Sequence, residues 1–231
     1  MWRGNEIALI GASLGLLIGA GSTAWGQGVA PPVEAPVQAA ASDAAADSLL
    51  VELRTVIPGL RIDVRYATAN NFTGAVLPGY AAPRAYLRWE PAIALGRVQR
   101  RLAADGLGLL VYDAYRPVRA SVGMVSWAAR MGRMGLIDSG YVARRSRHNQ
   151  GVAIDLTLVD ARTGVPLEMG TAYDVFTEDA HTANARGAAA GNRARLVAAM
   201  EAEGFRNYTQ EWWHFSFEVA APRPFDRIIG P

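Results

Sequence analysis

The chain has 231 residues, of which 51% are hydrophobic, which allows one folded domain with a buried core plus an appendage. Its formal charge is only +2, and every basic residue is an arginine set among acidic neighbours; the local run Arg144, Arg145, Arg147 reads as a solvated face rather than a nucleic-acid patch. The absence of cysteine excludes a disulfide framework and a thiolate metal site, so any metal falls to His, Asp or Glu in a chain with three histidines.

In chain order, the first residues read as an export signal over 1–26: Arg3 gives a positive start, Ile7 to Ile18 is apolar, and Ala24-Trp25-Gly26 is a small-residue exit. The apolar run is short for a membrane span, which needs about 20 residues. An uncleaved anchor is the alternative, and it would be the only contact with a membrane. Residues 27–47, rich in Ala and Pro and without aromatic residues, read as a flexible tether, with the folded domain over 48–231. These features predict an exported, periplasmic protein.

Leu49 to Val56 and Ile62 to Tyr66 read as strands separated by the turn Pro58-Gly59. Ile93, Leu95, Val98 and Leu102 predict a helix over Glu90 to Ala104, closed by Gly106. Leu107 to Tyr112 is a short apolar strand, and Pro117 opens a helix over Val118 to Met131. Gly151 to Val159 is another buried strand, Arg193 to Glu203 a helix ended by Gly204, and Trp212 to Val219 a last strand. Strands and helices mix without regular alternation, which predicts an α+β domain with helices packed on a mainly antiparallel sheet.

Asp155 lies inside the apolar run VAIDLTL, where a carboxylate is costly unless it is paired or bound to a metal; a buried ion pair with an arginine is the competing reading. His148 lies seven residues earlier, an odd separation that would put the two side chains on opposite faces of one continuous strand. The turn-forming Asn149-Gln150-Gly151 allows the chain to bend and bring them together. His214 completes a His, His, carboxylate set of the kind that leaves one zinc position open for water. Glu211 is the candidate proton acceptor, although on a flat strand it would face away from His214, so a bulge or a strand start is required. Arg116 follows a buried strand and precedes a helix, where a guanidinium either stabilises an oxyanion or merely faces solvent. His181 fits no ligand spacing and reads as structural.

Ser146-Arg147-His148-Asn149-Gln150-Gly151-Val152-Ala153-Ile154-Asp155 matches the pattern SxHxxGxAxD, and Glu211-Trp212-Trp213-His214 matches ExWH. With these motifs the chain resembles the zinc D-Ala-D-Ala peptidases, which share a fold with the hedgehog signalling domain. RYATANNFTG from Arg65, DAYRPVRA from Asp113 and MGTAYD from Met169 look like the D-alanyl-D-alanine dipeptidase branch, the VanX type, and the resemblance runs from about Val51 to Phe217. The resemblance implies one zinc per chain on His148, Asp155 and His214, with Glu211 as base and Arg116 stabilising the oxyanion. It further implies that Tyr66, Ser146 and Asp174 line a pocket for a small D,D-dipeptide, with Asp174 facing the substrate ammonium. Arg147 departs from the pattern, which often has a small hydroxyl residue there, and so does the long N-terminal extension. The implied reaction is hydrolysis of D-Ala-D-Ala or a close D,D-dipeptide in cell-wall fragment turnover, with no protein or nucleic-acid partner. The competing readings are a D,D- or L,D-carboxypeptidase acting on longer wall peptides, and a zinc-containing binding domain without hydrolysis.

Overall fold

The structure, a computed structural model, describes residues 40–231. The export signal over 1–26 and most of the tether lie outside the described residues. Packed structure begins before Ser48, however. The Ala41 N–H donates to the Pro224 carbonyl at 2.8 Å, and the helix α1 (Asp43–Leu49) starts at Ser42, whose hydroxyl accepts from the Ala45 N–H. The predicted end of the tether is therefore a capped helix with Ala46 buried.

The expected strand over Leu49 to Val56 divides into β1 (Leu50–Glu52) and a single helical turn, α2 (Leu53–Val56). Short apolar runs carry no period long enough to separate the two states. The next expected strand is likewise curtailed to β2 (Arg61–Ile62), followed by a 3-10 turn at Arg65–Ala67 that turns Tyr66 inward. Then come β3 (Tyr86–Arg88), α3 (Trp89–Ala103), β4 (Leu107–Asp113), α4 (Val118–Arg130), the short α5 (Gly135–Asp138) and β5 (Ala153–Asp160). The helix α6 (Gly187–Glu201) starts six residues before the expected Arg193, because its Ala-Gly-rich first turns lack the apolar spacing that marks a helix. β6 (Phe205–Tyr208) and β7 (Glu211–Phe217) close the domain.

The domain is α+β. Its main sheet has the order β2-β4-β5-β7-β6, antiparallel except for the parallel pair β2 and β4, while β1 and β3 form a separate antiparallel pair. Ile154, Leu156 and Leu158 alternate along β5 toward the hydrophobic core, which also contains Leu95, Val98 and Leu102 of α3 and Leu196 and Met200 of α6. Asp155 and Thr157 alternate to the opposite face, which is also buried. Paired arginines Arg97 and Arg101 reach Glu203 at 2.6 and 2.8 Å and tie α3 to the turn that follows α6. Among the described residues, no helix is long and apolar enough to cross a membrane.

Candidate active site

Two strand irregularities and one turn assemble the site. In β5, Asp155 stands opposite His214 of β7, so both side chains leave the same face of the sheet. Between Val111 and Asp113 of β4 the register with β5 shifts by one residue, which sets Asp113 opposite Asp155. An extra residue of this kind re-aims the side chain that follows it, and here it turns Asp113 toward the site. A second shift separates the pairs Asn207↔Phe215 and Tyr208↔Glu211. Glu211 therefore opens β7 beyond an irregularity, and it lines the same cavity as His214 in spite of their spacing.

His148 arrives from outside the sheet. It lies in a 3-10 turn, Arg147–Gln150, started by Ser146, whose hydroxyl accepts the His148 N–H at 3.2 Å while the Asn149 side chain accepts the Ser146 N–H. The turn ends at Gly151 with φ +66°, a left-handed conformation that lets the chain double back into β5. A Cβ at Gly151 would lie 2.4 Å from Leu50 Cδ2. The bend anticipated at Asn149-Gln150-Gly151 is this turn.

The three converging atoms are His148 Nε2, His214 Nδ1 and Asp155 Oδ1, separated by 3.1 Å between the nitrogens and by 3.3 and 3.0 Å from each nitrogen to the carboxylate oxygen. These separations approach the edge, about 3.3 Å, of a tetrahedron with ~2.0–2.1 Å bonds from a zinc ion to N and O ligands. The tautomers suit that use. His148 Nδ1 lies 2.6 Å from the Ala114 carbonyl, which can only accept, so Nδ1 carries a proton and Nε2 is the nitrogen left for an ion. Burial holds His214 below the usual imidazole range, with Asp155 opposing, so its ring is neutral near pH 7. The donor set and its convergence fit a divalent ion.

Arg116 is 8% exposed, and its Nε donates to Asp113 Oδ2 at 2.9 Å. Its guanidinium lies 5.0 Å from the centre of the Tyr66 ring and 3.7 Å from Asp155 Oδ2. Asp113 also accepts the Tyr80 hydroxyl at 2.6 Å and sits 3.5 Å from His148 Nδ1. Burial, together with the negative charges of Asp155 and Asp174, pushes Glu211 well above the usual carboxylate range, against the pull of Arg116. Burial first, and then Asp155, raise Asp174 to about 8.

Tyr66, Arg116, Ser146, His148, Asp155, Asp174, Glu211 and His214 all line one cavity of about 260 Å³. Phe72, Phe176, Tyr141 and Trp213 form its apolar wall. Asp174 accepts the Tyr66 hydroxyl on Oδ1 at 3.0 Å, while its Oδ2 is buried with no partner. Its backbone is left-handed, φ +63°, a conformation Asp tolerates better than most residues. Arg147, the departure from the motif, donates to the Phe217 carbonyl at 2.6 Å and pairs with Glu218 at the edge of the cavity. Arg144 and Arg145 are exposed. His181 meets the Tyr141 hydroxyl at 2.9 Å and stands apart from the ligand cluster. Sequence reasoning missed Asp113 and Tyr173; each stands next to or near a residue that was singled out, in DAYR and AYD, but neither has a motif spacing of its own.

Residues 46–228 match the profile of a family described as D-ala-D-ala dipeptidase. A D-alanyl-D-alanine dipeptidase of Enterococcus faecalis is 40% identical over 187 residues, covering 74% of this chain and 92% of its own length. One of Enterococcus faecium is 39% identical over 179 residues, covering 71% of this chain and 88% of its own length. One of Escherichia coli is 36% identical over 189 residues, covering 79% and 94%.

Proposed function

Since this chain belongs to the D-ala-D-ala dipeptidase family, we propose that it hydrolyses D-Ala-D-Ala, or a closely similar D,D-dipeptide, to free D-alanine at the cavity described above. One observation carries the substrate reading: Asp174, whose Oδ2 is buried without a partner, lines the same cavity as the cluster of His148, Asp155 and His214. A buried carboxylate oxygen without a donor is costly, and a substrate ammonium would satisfy it by a charge-assisted hydrogen bond. The ammonium also favours the ionised carboxylate, so Asp174 releases its proton as the amine binds.

His148, Asp155 and His214 would hold the ion, zinc in this reading. When bound, it supplies Lewis-acid polarisation and lowers the pKa of water toward neutrality. Glu211 takes the proton from the attacking water and passes it to the leaving amine; burial gives it a stronger hold on that proton than an ordinary carboxylate has. Arg116, held by Asp113, presents fixed positive charge where the carbonyl oxygen becomes anionic. Ser146 lines the pocket and starts the turn that carries His148, and Tyr66 lines it while orienting Asp174.

The finer readings rest on the sequence. We infer export to the periplasm from the pattern of residues 1–26, and a role in wall-fragment turnover follows from that location. The motifs SxHxxGxAxD and ExWH support a fold shared with the hedgehog signalling domain. To test the substrate reading, the purified zinc-loaded protein is given D-Ala-D-Ala, its N-acetyl form and a wall pentapeptide, and released D-alanine is counted. The free dipeptide should be cleaved far faster than the other two. Equal kcat/KM for the free and acetylated dipeptides would sink the dipeptidase reading and leave a carboxypeptidase, and no release from any of them would leave a binding domain.

A further inference from the structure

Asp155 offers its two carboxylate oxygens to different partners. Oδ1 faces His148 and His214, whereas Oδ2 accepts the Tyr173 hydroxyl at 2.9 Å. The same hydroxyl lies 3.0 Å from the Tyr66 hydroxyl, which in turn donates to Asp174 Oδ1 at 3.0 Å. An unbroken chain of three contacts thus joins a metal ligand to the carboxylate at the far side of the cavity.

The Tyr173 ring is fixed from three sides. It stacks on Tyr112 with centroids 4.8 Å apart, meets Trp213 edge-on at 5.4 Å and tilts against Tyr66 at 6.1 Å. Arg193 fastens the segment that carries Tyr173, donating to the Met169, Asp179 and His181 carbonyls on either side of it. A hydroxyl on so fixed a ring is placed to hold Oδ2, beside the Arg116 guanidinium at 3.7 Å, and to leave Oδ1 facing the ligand nitrogens.

We propose that Tyr173 is a positioning residue that orients Asp155 for the metal and links it, through Tyr66, to Asp174. This rests on the metal reading of His148, Asp155 and His214, and not on the identity of the dipeptide. Outer partners of a metal ligand typically set 10–100-fold in metal affinity.

The test reads zinc affinity by chelator competition, without substrate, in the parent, Tyr173→Phe, Tyr66→Phe and the double variant. Tyr173→Phe keeps the ring and removes one hydroxyl, and it should weaken zinc roughly 10- to 100-fold. Tyr66→Phe does not touch Asp155, yet it should weaken zinc by about threefold or more, and that loss should vanish when Tyr173 is already Phe. Zinc binding by Tyr173→Phe within about threefold of the parent, or independent effects of the two changes, overturns the proposal. A parent that binds no zinc instead removes the metal reading beneath it. If Tyr173→Phe fails to fold, Tyr66→Phe alone decides: unchanged zinc affinity defeats the link, and a loss supports it.

Discussion

At the scale of single residues, the proposed ligand cluster and the proposed proton acceptor make separable predictions. His148, Asp155 and His214 each contribute one of three converging atoms, so replacing any of them with alanine removes a third of the donor set. His214→Ala should purify with less than a tenth of the parent's zinc by elemental analysis; full zinc in that variant is incompatible with the assignment. Glu211 contributes no atom to the cluster; its nearest oxygen is 3.9 Å from His214 Nδ1. Glu211→Gln should therefore keep zinc and the fold while kcat falls on the order of a hundredfold or more. Near-parent turnover by that variant would assign the proton transfer to another group.

At the scale of elements, the turn over Arg147–Gln150 decides whether His148 reaches the sheet at all. Gly151 ends it at φ +66° with Leu50 packed against its α-carbon. A side chain there meets backbone strain of about 1–2 kcal/mol in addition to the contact with Leu50. Gly151→Ala is therefore expected to lower Tm and to weaken zinc together, since one turn serves both; calorimetry and chelator competition measure the two. A drop in Tm with unaltered zinc affinity would show that His148 is placed by contacts other than this turn. The irregularities in β4 and β7 act in the same way, since each turns a carboxylate, Asp113 or Glu211, toward a face that a regular strand would deny it.

At the scale of the whole molecule, Asp174 links the site to stability. Its folded-state pKa, raised to about 8, lies above the unfolded value near 3.9. The folded state therefore binds the proton more tightly, and the contribution of this group is fully present below about pH 4 and lost as pH rises through about 8. Asp174→Asn does not titrate, so its stability relative to the parent should rise between pH 5 and pH 8.5, with the metal content held equal. Denaturation curves at those two values measure it, and a difference independent of pH would place the Asp174 pKa near its ordinary value. The same substitution should narrow the preference for free over acetylated dipeptide, mainly by slowing the free one.

The sequence by itself determined the chemistry and the main elements. The apolar spacing of α3, the runs of β4 and β5 and the proline opening α4 are local patterns, and the two motifs bring the ligand residue types within recognisable distances along the chain. Eight residues singled out from the sequence, three of them only through the family resemblance, line one cavity. Only the tertiary structure decided how residues at odd spacings share that cavity: the turn Arg147–Gln150 frees His148 from the parity of β5, and a shift in the pairing of β6 with β7 frees Glu211 from that of β7. It also decided the fate of short segments such as Leu53–Val56, which are too brief to show a period and take their state from what they pack against. Tyr173 and Asp113 remained hidden for the same reason. Their roles come from partners at separations such as Tyr173 to Tyr66, 107 residues apart, and no local pattern records a contact made across the sheet.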